Sequence, residues 1–199
     1  VSCDMINTFQ PEVLFIHGSA IDSYRHQNGI FCPKVTDGLA LVDQWFGMLQ
    51  DALDAVGVLE QTNIVIMSDH GQMDAVRVTK PNVYLADRGF IQVNQDGTIR
   101  DYTALGISNG MSMMFWLKDP SDRKAHDEVY KTLCELAEEG IYGFNRVFTR
   151  EETAAAEHLD GDFAFIIESD GYTSFADGCT RPVVSGLDLK DYRMGRATH

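Results

Sequence analysis

Two stretches decide the reading of this chain: residues 12–29, EVLFIHGSAIDSYRHQNG, and residues 63–71, NIVIMSDHG. In each, a short apolar run breaks off at a cluster of His, Asp and Gly. Glu12 to Ile16 has the pattern of a buried strand that ends in a loop at His17-Gly18. Asn63 to Met67 is β-branched and apolar on consecutive positions, as a parallel strand covered on both faces requires, and Ser68-Asp69-His70-Gly71 follows at once. Between them Leu39, Val42, Trp45, Phe46, Leu49, Leu53 and Val56 recur at three- and four-residue steps. That spacing predicts an amphipathic helix from Asp37 to about Glu60, fraying at Gly57. Strand, helix, strand makes a βαβ unit of an α/β fold. In such sheets ligands bind beyond the carboxyl ends of the strands, so the two polar clusters are expected to meet in space.

Further along, the pattern changes. GFIQVNQDGTIRDYT alternates and turns at Asp96-Gly97, MSMMFWL reads as a strand, Asp122 to Glu139 carries helical spacing with Val129, Leu133, Leu136 and Ala137 inward, and DFAFIIES supplies another strand. The expected organisation is an α/β core half at residues 1–78, a smaller inserted α+β lid at 79–190, and a return to the core at 191–199.

Composition sets the bounds on chemistry. With 199 residues and 44% hydrophobic content the chain can bury a real core. Its 30 acidic against 16 basic side chains give a net charge of -14, which repels nucleic-acid backbones and anionic lipid; no basic nucleic-acid-binding face is expected. A phosphate-ester substrate would have to be drawn in by bound divalent metal. Cys3, Cys32, Cys134 and Cys179 lie far apart with no CxxC pair and read as buried thiols. No apolar run is long enough to cross a bilayer, and the opening residues resemble no signal peptide, so a cytoplasmic setting is expected. The start at Val1 and the stop at GRATH read as a cut fragment.

Asp22 and His26 stand four residues apart, which puts both side chains on one face if the segment is helical. A carboxylate oxygen and an imidazole nitrogen suit zinc. Adjacent Asp69 and His70, at a strand end, can reach two different ions, and His199 completes a set of two Asp and three His. Taken singly, each has an ordinary reading: Asp22 as a cap for a helix starting near Ser23, Asp69 as a turn former beside Gly71, His199 as a mobile chain end. Their order after two strands favours metal. His17 reads as a packed or hydrogen-bonded strand-end residue and His158 as solvated. His126-Asp127 matches the HD dipeptide of certain phosphohydrolases, but that fold is wholly helical and the strands here argue against it.

These strings resemble those of the type I phosphodiesterase/nucleotide pyrophosphatase branch of the alkaline phosphatase superfamily. Its members carry D-x-x-x-H-x-x-G, then S-D-H-G after the next strand, then a G-x-H-type motif beyond an insertion; here DSYRHQNG, SDHG and GRATH stand in those places. The resemblance runs from Pro11 to His199 and is loose across the insertion; Ile30 stands where many relatives have Pro. It implies an alkaline-phosphatase-like parallel sheet with helices and a two-zinc hydrolase of small phosphate esters. Asp22, His26 and His199 would hold one zinc, and Asp69 with His70 the other. In the family an upstream Asp and a Thr or Ser nucleophile complete the second site, and neither is found here. At most one well-held ion is therefore expected in these residues. The alternatives are a non-catalytic binding module of the same fold, or a sulfatase or phosphomutase relative.

Overall fold

The computed structural model describes residues 1–190 and 196–199. Three helices open the chain: α1 (Ser2–Phe9), α2 (Ala20–Asn28) and α3 (Pro33–Ala55). Proline suits the first turn of α3 because its fixed φ is already helical and its missing N–H had no partner to lose. The helix therefore starts four residues before the predicted Asp37, and a separate 3-10 turn at Leu59–Gln61 follows the left-handed Gly57. The α2 and α3 helices touch at Gly38, where a Cβ would come within 2.7 Å of the Tyr24 ring. Only glycine allows that approach.

The two stretches predicted as parallel strands lie in no sheet of the described residues. Both are solvent-exposed, Phe15 at 93% and Val65 at 81%. A strand covered on both faces needs paired neighbours for its backbone groups, and none of the described segments lies alongside.

Four strands of the next region, β1 (Met73–Asp74), β2 (Arg77–Thr79), β3 (Ile91–Val93) and β4 (Ile99–Tyr102), surround a short helix α4 (Asn82–Asp87). The β3–β4 hairpin turns where predicted, with left-handed Gly97 in the turn and Asp96 accepting from the Thr98 N–H at 3.0 Å. Then come β5 (Ala104–Ser108), β6 (Ser112–Leu117), α5 (Arg123–Glu139), β7 (Val147–Thr149), α6 (Arg150–Glu157), β8 (Phe165–Glu168), β9 (Thr173–Phe175), β10 (Val184–Gly186) and β11 (Ala197–Thr198).

The main core forms where α5 meets an antiparallel sheet of order β5-β6-β8-β7. Asp122 caps α5 by accepting from the Ala125 N–H at 2.9 Å, and left-handed Gly140 ends it, so the predicted span holds at both ends. Val129 and Leu133 are fully buried with Phe115 and Phe165. Phe165 also meets the rings of His126 at 4.7 Å and Tyr130 at 5.3 Å. Phe165→Ala should lower the unfolding free energy by ~3–5 kcal/mol, the range for an emptied aromatic site. Urea unfolding measures it; a loss well under ~1 kcal/mol would place the core elsewhere.

A smaller mixed sheet, β10-β2-β9, bears on domain organisation. Strand β2 pairs parallel with β9 and antiparallel with β10, and Arg77 donates to Thr173 Oγ1 at 2.8 Å and pairs with Asp170. The division expected between residues 78 and 79 thus falls inside β2, which pairs with β9 and β10 on its two edges. The first part of the expected return, residues 191–195 with Gly195 of GRATH, lies outside the described residues. Residues 197–198 form the two-stranded ribbon β1–β11 with register Met73↔Thr198 and Asp74↔Ala197.

Candidate metal centre

Helix α2 places Asp22 and His26 one turn apart on the same side, with Asp22 Oδ1 3.3 Å from His26 Nε2. Two ligand atoms about 2 Å from a tetrahedral ion stand roughly 3.3 Å apart, so this separation suits a shared metal. His26 is 6% exposed, and its Nδ1 lies 2.6 Å from the Ala197 carbonyl oxygen. A carbonyl only accepts, so Nδ1 carries a hydrogen and Nε2 is the nitrogen turned toward Asp22.

The ribbon brings in the third group. The Arg196 N–H donates to the His26 carbonyl at 2.7 Å and the Ala75 N–H to Arg196 at 3.0 Å, so the end of α2 is tied to β1 and β11 together. The turn after α2 is held as well: Gly29 has φ +92° and the next amide, Ile30 N–H, donates to Asp74 Oδ1 at 2.9 Å. His199, following β11, then has its ring 5.6 Å from that of His26. One ligand atom each from Asp22, His26 and His199 lie within 4.8 Å of one another.

The turn between β5 and β6 lies against the His199 backbone. The Met111 N–H donates to the His199 carbonyl at 2.8 Å. Gly110, with φ +88°, lies so close that a Cβ would stand 2.2 Å from the same oxygen.

From the 68–71 loop His70 reaches the same place, with Asp69 beside it, though neither belongs to the close group of ligand atoms. The His70 ring stacks on His199, centroids 3.7 Å apart at 26°. Asp69 Oδ2 lies 3.7 Å from His70 Nε2 and 3.4 Å from His17 Nε2. Its own backbone N–H, the nearby His70 charge and further hydrogen bonds hold the Asp69 carboxyl below the usual carboxylate range. The His199 ring has its pKa lowered, first by burial and then by the neighbouring His70 and His26. The shift favours the neutral ring, the form that can ligate a metal, although His199 remains solvent-exposed. One carboxylate oxygen and imidazole nitrogens make a donor set suited to zinc, and three such protein ligands leave a position open.

The sequence pattern of the type I phosphodiesterase/nucleotide pyrophosphatase family matches residues 4–178. The chain belongs to this family. It is thus part of a branch of the alkaline phosphatase superfamily. No curated protein matches the sequence. Among solved structures, murine ectonucleotide pyrophosphatase/phosphodiesterase 5 is similar in fold, with a TM-score of 0.62 and 16% identity over 98% of this chain and 48% of that one. An inactive form of the murine protein, solved in complex with AMP, gives a TM-score of 0.62 at 17% identity, covering 98% of this chain and 49% of that one. The chain spans about half the length of these solved relatives.

Within this family member three contributors to the site escaped sequence reading. Gln72 donates through Nε2 to Asp22 Oδ1 at 2.8 Å; its place directly after SDHG was the available signal. His17, expected as a hydrogen-bonded residue at the edge of the site, faces Asp69, a partner the sequence did not name. Gly110 carried no signal, since its demand for a bare Cα arises from His199, far along the chain.

Proposed function

We propose that these residues form the metal-holding half of a two-zinc phosphoester hydrolase of the phosphodiesterase/nucleotide pyrophosphatase type. The observation that carries this is the meeting of Asp22, His26 and His199 within 4.8 Å, with His70 stacked on His199. Asp22, His26 and His199 hold one ion; Asp69 and His70 contribute to the second, together with a Thr or Ser nucleophile and an Asp from outside these 199 residues. The span of about half the solved relatives supports that division. Bound there, two divalent ions polarise the phosphoryl group and offset charge at the attacking and leaving oxygens.

The chain's own residues prepare the site. The Ala197 carbonyl orients the His26 ring through Nδ1, burial and the neighbouring His70 and His26 lower the His199 pKa, and the acidic surface leaves anion attraction to the metal positions. The substrate is a small phosphate ester, and the AMP bound by the murine relative supports a nucleotide. Residues 79–190 act as a cap whose β5–β6 turn reaches the site. Among the described residues no helix is long and apolar enough to cross a membrane. Four free thiols support a reducing, cytoplasmic setting.

Zinc titration of the purified chain, followed by assay on an activated aryl phosphodiester, tests the reading. Three protein ligands hold one ion and two hold another poorly, so about one zinc per chain is expected, with no turnover above that of a His26→Ala control. Turnover that His26→Ala abolishes would show a nucleophile within these residues. Absence of any zinc binding would favour a non-catalytic module.

A further inference from the structure

We infer that Gln72 is a positioning residue for the Asp22 carboxylate, an inference that rests on the metal reading above. The Gln72 side chain is half-buried, and Nε2 approaches Asp22 twice: Oδ1 of the carboxylate at 2.8 Å and the backbone carbonyl oxygen at 3.4 Å. Both neighbours can only accept, so the amide must present its nitrogen and the orientation of the Gln72 side chain follows from chemistry. The double contact links the Asp22 carboxylate to the backbone of its own helix through one rigid amide. It thereby restricts rotation of a side chain that is otherwise free to turn toward solvent.

The position of Gln72 gives this contact its reach. The β1–β11 register pairs Met73 with Thr198, and extending it by one step sets Gln72 opposite His199. Gln72 therefore extends from beside one candidate ligand to the carboxylate of another on α2. It also lies two residues after His70, so the Asp69–Gln72 stretch carries candidate ligands of one ion and the support for a ligand of the other. A carboxylate has about four lone-pair sites, so an amide hydrogen on Oδ1 still leaves room for an ion between Asp22 and His26. Outer hydrogen bonds of this type orient ligands, and losing one costs roughly 10- to 100-fold in metal affinity.

The test uses Co2+ with the chain, because its visible bands report ligand geometry as well as binding. Gln72→Met keeps the length of the side chain and removes the donor; Gln72→Leu is a second apolar variant should the first fold poorly, as judged by circular dichroism. The expected result is Co2+ affinity weakened roughly 10- to 100-fold, with shifted bands. In an Asp22→Ala background the same Gln72 substitution should change the residual affinity no further, because the group it positions is gone. Wild-type affinity and spectrum in both Gln72 variants would overturn the inference while leaving the metal site standing. A loss of the same size with and without Asp22 would also overturn it, since Gln72 would then act by general packing. Equal Co2+ binding by wild type and Asp22→Ala would overturn the metal reading itself, and the inference with it.

Discussion

On the proposed metal reading, Asp22→Ala is expected to abolish tight binding of zinc to the chain. The carboxylate is the only acidic side chain of the Asp22, His26 and His199 set, and without it two imidazoles remain. The amide of Gln72 loses its acceptor at the same time. Affinity for zinc should therefore fall by more than the roughly 10- to 100-fold typical of losing an outer hydrogen bond. The fold should be little affected, since alanine is a good helix former and an acidic group in a first turn contributes only ~0.3–1 kcal/mol. Isothermal titration with zinc and urea unfolding of the same variant separate the two effects. Unchanged zinc affinity would mean that the ion is held elsewhere.

Gly110→Val should unseat His199 from the opposite side of the site. Glycine is required there twice over: its φ of +88° belongs to the left-handed region, and an added Cβ would lie 2.2 Å from the His199 oxygen and 2.6 Å from Thr198 Oγ1. A β-branched residue at that angle costs ~1–3 kcal/mol in strain alone. The clash adds to this unless the chain end moves away, which breaks the Met111 to His199 hydrogen bond and the stacking of His199 on His70. The β5–β6 ladder runs from Ala104↔Leu117 to Ser108↔Met113, and Phe115 is buried far from the turn, so the main core should persist. The expected outcome is a loss of zinc affinity greater than the loss of stability, read by titration and urea unfolding. Full zinc affinity in this variant would show that the β5–β6 turn does not support the proposed metal position.

Helix α5 was legible to the residue because its start and stop are local: Asp122 caps its own third amide and Gly140 supplies a left-handed end. The hairpin around Asp96-Gly97 was legible for the same reason. Residues 12–16 and 63–67 were read as buried strands from apolar runs, yet Phe15 and Val65 are exposed and unpaired. An apolar run states what a segment would bury; it does not supply the partner that buries it. The helix predicted from Asp37 began at Pro33, because the periodic apolar face marks packing while proline marks the start.

From the sequence alone came the kinds of side chain available for metal and the one spacing that is local, Asp22 to His26, since an α-helical turn sets four-residue neighbours side by side. The motif resemblance named His199 as their companion, but only tertiary structure decided how it reaches them from 173 positions further along the chain and that it stacks on His70. It also decided which groups support them: the Ala197 carbonyl on His26, the Gln72 amide on Asp22, and the bare Cα of Gly110 under the His199 oxygen. The physical reason is that helix and turn propensities depend on a few consecutive residues. A hydrogen bond or a close approach between distant segments depends on where the whole chain places two backbones, and no window of sequence contains that information.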